Sequence, residues 1–150
     1  MGNEDANELI YSIKTKKTVL FLEALLNELC GNAHISFEGD LSKVTFDRIS
    51  GKSEIETSVL KRSTTYPGVD FIVLPIEEST KDEIIEILHR IGVRRRIVHV
   101  QIEKDGKWAF GAYDKFDFAD ASMLVSENTL KNLLRMGIIK SYKIEIIESE

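Results

Sequence analysis

The sequence has one cysteine and two prolines in 150 residues, and each scarcity removes a class of protein. A single thiol, Cys30, cannot close an internal disulfide, so the chain is not a disulfide-stapled scaffold and nothing implies an oxidising compartment. With only two prolines and no Pro/Gly/Ser-rich stretch there is no linker or low-complexity tract, so one domain is expected over 1–150. No apolar run approaches the ~20 residues of a membrane-spanning helix. Met1 to Ile10 is polar and acidic, without the apolar centre of a secretory signal. The expectation is a cytoplasmic protein that does not engage membranes.

The short motifs that announce chemistry are missing too. His34, His89 and His99 lack metal-ligand spacing, and neither HExxH nor a paired CxxC occurs. Gly106 and Gly111 fall within a hairpin rather than between a strand and a helix, so they make no phosphate loop. There is no GxSxG elbow. No metal and no cofactor are expected, and the balance leans away from an enzyme, although catalytic groups can assemble from distant positions. A formal charge of −5 aids solubility and argues against general affinity for nucleic acid.

What is present suits a globule. Hydrophobic residues make up 43% of the chain, and a domain of this size buries about 68–70% of its unfolded surface, enough to stand without metal or disulfide. The first dozen residues read as a flexible arm. Val19, Leu22, Leu25, Leu26 and Leu29 recur at helical spacing up to Gly31, predicting a helix over 17–30. Alternation at 34–38, at 44–49 and across the polar stretch 54–61 predicts a meander of antiparallel strands under that helix.

From residue 69 the pattern becomes more regular. Pro67-Gly68 makes a turn, 69–74 is a buried strand ended by Pro75, and Thr80 with Glu83 reads as a capping box. The helix that follows carries Ile84, Ile87, Leu88 and Ile91 on one face and stops at Gly92. Residues 97–103 and 108–113 form a hairpin about Asp105-Gly106. Residues 122–125 suggest a short strand, Ser126 caps a helix that closes at Gly137, and Tyr142, Ile144 and Ile146 alternate as a last strand. The class is α+β. The order over about 69–148 is ferredoxin-like, β-α-β-β-α-β, with the N-terminal helix and strands extending the same sheet.

Three groups of residues stand out as candidate sites. A plain two-residue turn sets Glu103 opposite Trp108, Gln101 opposite Phe110 and His99 opposite Ala112. Trp108 and Phe110 would then share one sheet face with those polar groups, either as a recognition surface or as core beneath the N-terminal helix. After the hairpin, Asp114, Phe116, Asp117, Phe118 and Asp120 alternate acid with aromatic, a pattern that offers apolar anchors ringed by negative charge to a basic partner. Arg94, Arg95 and Arg96, with His99 and Gln101, form the alternative: a pocket for an anionic small ligand.

The strand Lys107-Trp108-Ala109-Phe110-Gly111-Ala112-Tyr113 also resembles the third strand of RNA-recognition-motif domains. The resemblance implies base stacking on Trp108 and Phe110. It spans one strand and a strand order, and the glycine that follows the basic position in that family is absent here.

The reading that follows is a non-catalytic interaction domain, most concretely a small acidic inhibitor of the immunity or antitoxin type that binds a basic protein. An Arg/His ligand pocket and an RNA-binding sheet are the alternatives. Nucleic acid is the least expected partner, and a homodimer through an exposed sheet edge is compatible with the pattern.

Overall fold

The computed structural model describes residues 7–64 and 69–148. The turn expected at Pro67-Gly68 and the first six residues of the expected arm lie outside them. Along the described residues the elements run β1 (Asn7–Thr15), α1 (Thr18–Leu29), β2 (Ala33–Gly39), β3 (Asp70–Ile76), α2 (Lys81–Arg90), α3 (Val93–Arg96), β4 (Ile97–Lys104), β5 (Lys107–Tyr113), β6 (Phe118–Ser122), α4 (Glu127–Arg135) and β7 (Ile139–Glu148).

The seven strands form one antiparallel sheet in the order β3-β2-β4-β5-β6-β1-β7. The class is α+β, but the strand order is not the ferredoxin-like one. Strands β3 and β4 run the same way, are joined through α2 and α3, and are held apart by β2. At the other end β6 and β7 are joined through α4 and held apart by β1. Two split β-α-β units are therefore bridged by the meander β4-β5-β6. The strands that fill the two gaps both come from the N-terminal third, which chain order alone does not reveal.

Residues 7–12 are thus no arm. Leu9, Tyr11 and Ile13 alternate, and Tyr11 and Ile13 are buried in the main core. That core lies on one sheet face, where α1 (Phe21, Leu22, Leu25), α2 (Ile84, Ile87, Leu88) and α4 (Leu130, Leu133) all contribute. The amphipathic spacing of the three longer helices accounts for which side each presents. Ser126 caps α4 as expected, its hydroxyl accepting from the Thr129 N–H at 3.2 Å. The capping box at Thr80 does not form. The Thr80 hydroxyl instead donates to the Pro75 carbonyl at 2.6 Å and accepts from the Glu77 N–H, closing the turn before α2.

Pro75 does not end β3 either; it lies within it, opposite His34. Because β3 is an edge strand, a missing N–H is tolerated there. At the C-terminus of α1, where the helix itself has no basic residue, Lys104 of β4 donates to the carbonyls of Cys30 and Gly31 at 3.0 and 2.6 Å.

The meander predicted at 44–49 and 54–61 is replaced by a strap that turns around the β3 edge. Leu41, Phe46 and Ile49 anchor it to the main core, with Phe46 stacked on Phe37. Ser53 makes a single two-bond bridge to Val73. Beyond it, Leu60 packs with Phe71 and Val73 on the opposite sheet face. The apolar residues that looked like strand alternation are anchors. A third strand at this edge would have had only β3 to pair with.

Candidate protein-binding face

The β4–β5 hairpin decides which residues reach the surface. Asp105 and Gly106 take positive φ, 53° and 77°, as the tight turn demands. Beyond the turn, however, Glu103 pairs with Trp108 while Ile102 pairs with Phe110, so Ala109 is a bulge. One extra residue reverses the side of everything that follows. Phe110 joins Val100 and Ile102 in the helix-covered core, fully buried and edge-to-face with Phe21 at 5.5 Å. Trp108 stays on the other face, half-buried. The two aromatics therefore do not share a surface, and the base-stacking pair suggested by the RNA-recognition-motif resemblance does not exist.

The open face holds what the bulge turned outward. Gly111 is paired with Asp120, and Tyr113 with Phe118. The Tyr113 ring folds back across Gly111: a Cβ there would lie 2.5 Å from the Tyr113 hydroxyl and 2.9 Å from its ring. His99 stands beside it, ring centroids 5.4 Å apart. Burial raises the Tyr113 pKa; a polar contact from Trp108 opposes the shift and the charge of Asp120 adds to it. Burial, reinforced by Glu145, likewise raises the Asp120 pKa. Among the described residues no cation lies within ion-pair distance of Asp120. Phe118 completes the group at 62% exposure. Next to Trp108, a cleft of about 600 Å³ runs between Ile10, Val59 and Leu124.

Asp114, Lys115 and Phe116 take left-handed φ of 53°, 59° and 73° in succession, a costly turn for non-glycine residues. It is held by Lys115 N–H donating to the Val98 carbonyl at 2.9 Å and Asp114 N–H donating to His99 Nδ1 at 3.3 Å. The turn throws Phe116 into the core, so it is no surface anchor, and leaves Asp114 and Asp117 exposed at the rim.

His99 and Gln101 are buried. Gln101 donates to the Lys61 carbonyl at 2.9 Å, which ties down the strap. Arg94 and Arg95 are exposed on the one-turn helix α3, not on a loop, and Arg96 is half-buried. The described cavities are lined by none of the residues of the proposed Arg/His pocket. Cys30 is half-buried against the main core, and burial with the Glu78 carboxylate beside it raises the thiol pKa, away from reactivity.

Tyr113 is the residue that sequence reasoning missed. Regular alternation from the turn puts Tyr113 on the apolar face with Ala109 and Gly111, and the bulge at Ala109 reverses it. Gly111→Ala tests the geometry. The new Cβ is expected to push Tyr113 off the face at a cost of about 1–3 kcal/mol, and ultraviolet titration should find a tyrosine returned toward its ordinary pKa. An unchanged titration would mean that Tyr113 does not lie over Gly111.

No helix among the described residues is long and apolar enough to cross a membrane, and no group of three or more histidines, cysteines or carboxylates is placed to hold a metal. Comparison with protein-family models, with curated proteins and with solved structures finds no match to the chain.

Proposed function

We propose that the chain is a non-catalytic protein-binding domain, most concretely a small acidic cytoplasmic inhibitor of the immunity or antitoxin type. Its binding face is the open sheet surface around Trp108, Tyr113, Phe118 and Asp120, rimmed by Asp114 and Asp117. The observation that carries this reading is Asp120, a carboxylate beside Tyr113 and Phe118 with no cation among the described residues within ion-pair distance to balance it. A lysine or arginine from a basic partner would supply the missing charge and lie against the aromatic rings, where cation–π attraction adds to the ion pair. The cleft beside Trp108 would take a neighbouring apolar side chain, giving the buried anchor that strong interfaces need. A reducing, cytoplasmic setting suits the lone thiol.

The test is affinity capture from the host's own lysate, with nuclease present, using the wild-type chain and a Phe118→Ala/Asp120→Asn variant. A basic protein retained stoichiometrically by the first and lost by the second is expected. Its association rate should fall steeply with added salt. Equal capture by both chains would remove this face as the interface.

A site kept for binding should also be a site where stability is given up. Asp120 holds its proton more readily in the folded state than in the unfolded one. Its ionisation therefore opposes folding: the penalty is absent below the unfolded pKa and fully developed once pH exceeds the raised folded value. Asp120→Asn is accordingly expected to raise the melting temperature at pH 7 by about 1–2 °C, a small gain because solvent screens a partly exposed group. The gain should vanish in acid. A variant less stable than wild type at pH 7 would show that Asp120 has an internal partner.

A further inference from the structure

The two edges of the sheet are finished differently. On the β3 edge, Ser53 forms its two-bond bridge to Val73 and Pro75 removes a donor, so little free backbone is offered. Strand β7 pairs with β1 on one side only, and among the described residues nothing pairs with its outer side. It is ten residues long, and three of its isoleucines are well exposed: Ile144 at 49%, Ile146 at 64% and Ile147 at 45%. A long, apolar, unpaired edge is a template for another strand.

The sequence of β7 says which strand fits. Its first half is basic and its second half acidic, KSYK before Ile144 and EIIE after it. We infer that β7 pairs antiparallel with β7 of a second copy of this chain, about a two-fold axis at Ile144, to make one continuous sheet. In that register Lys143 stands opposite Glu145 of the partner subunit, and the symmetry repeats the contact. Positions 140 and 148, again a lysine and a glutamate in sequence, also oppose each other.

On the helix side, Tyr142 faces Ile146 of the partner subunit and the two Ile144 side chains meet. Ile144 and Ile146 of the two copies thereby become a shared apolar stripe. A slip of two residues either way sets Lys143 against itself or Glu145 against itself, which like-charge repulsion opposes. A slip of one residue mixes the apolar and charged faces. The strand thus accepts its own copy in one register. Within a single subunit Lys143 and Glu145 already meet at 3.2 Å on this exposed face, so both charges are in place to exchange partners.

Analytical ultracentrifugation of the full chain at about 100 μM tests the inference. Wild type is expected to sediment at twice its 17.0 kDa mass. Lys143→Glu and Glu145→Lys should each raise the dissociation constant by about tenfold or more. Circular dichroism should show both variants folded, since the two side chains are exposed. Mixing the two variants should restore the dimer, because every opposed pair is then of opposite sign, whereas loss of the bond within each strand is not repaired by mixing. A monomeric wild type, variants that dimerise unchanged, or a mixture that stays monomeric would each overturn the inference.

Discussion

Truncation of Phe110 to alanine is expected to cost about 3–5 kcal/mol and to lower the melting temperature by about 10 °C. Phe110 is fully buried and meets Phe21 edge-to-face. Removing the ring therefore loses its transfer energy and leaves a cavity under α1 that neighbouring side chains fill only in part. Trp108→Ala, two residues away, supplies the contrast. That side chain is half-buried on the other face and its loss should cost far less. Urea denaturation of both variants makes the comparison. Equal losses, or a larger loss at Trp108, would mean that the bulge at Ala109 is absent and that Phe110 belongs to the open face.

The second large effect is expected at Glu38. Its carboxylate is buried at 1% exposure and accepts from the Ser63 N–H at 2.9 and 3.1 Å and from the Thr64 N–H at 2.7 Å. These charge-assisted bonds pin the end of the strap over the sheet. Glu38→Ala removes the acceptor for both donors, for an expected loss of about 3 kcal/mol. The strap has other ties: Thr57 donates to Glu103 at 2.6 Å, and Gln101 donates to the Lys61 carbonyl. The change should therefore be local. Amide exchange at Ser63 and Thr64 should accelerate strongly, while exchange in β5 and β6 stays slow. Unchanged protection at both amides would mean that Glu38 does not hold the strap.

These two residues show where sequence reading succeeds and fails. Alternation over 34–38 makes Glu38 one polar position of a half-buried strand. That strand is correct, but the burial of its carboxylate depends on a strap whose course no local pattern announces. Phe110 was assigned to the correct strand and the wrong face, because a two-residue turn was extended as a regular ladder through Ala109. The β1 strand is missed: Leu9, Tyr11 and Ile13 alternate, but their polar surroundings read as an arm. Val44, Phe46 and Ile49 gave the opposite error, apolar spacing without a strand, since loop anchors need buried side chains as much as strands do. Of the candidate site, Trp108, Phe118 and Asp120 lie on the open face. Phe110 and Phe116 went to the core, and Tyr113 came out of it.

Local pattern alone sets the α+β class, the three longer helices with their buried faces, the hairpin at Asp105-Gly106 and the last strand. Each of these rests on the spacing of neighbouring residues and on turn geometry, which act over a few positions of chain. Long-range packing sets the rest: β2 splits β3 from β4, β1 splits β6 from β7, and one bulged alanine separates Trp108 from Phe110. Strand neighbours are chosen by the global burial of apolar faces, and many chain orders satisfy the same local pattern. A one-residue bulge leaves the composition and nearly all the alternation of a strand unaltered, yet it exchanges core for surface beyond it.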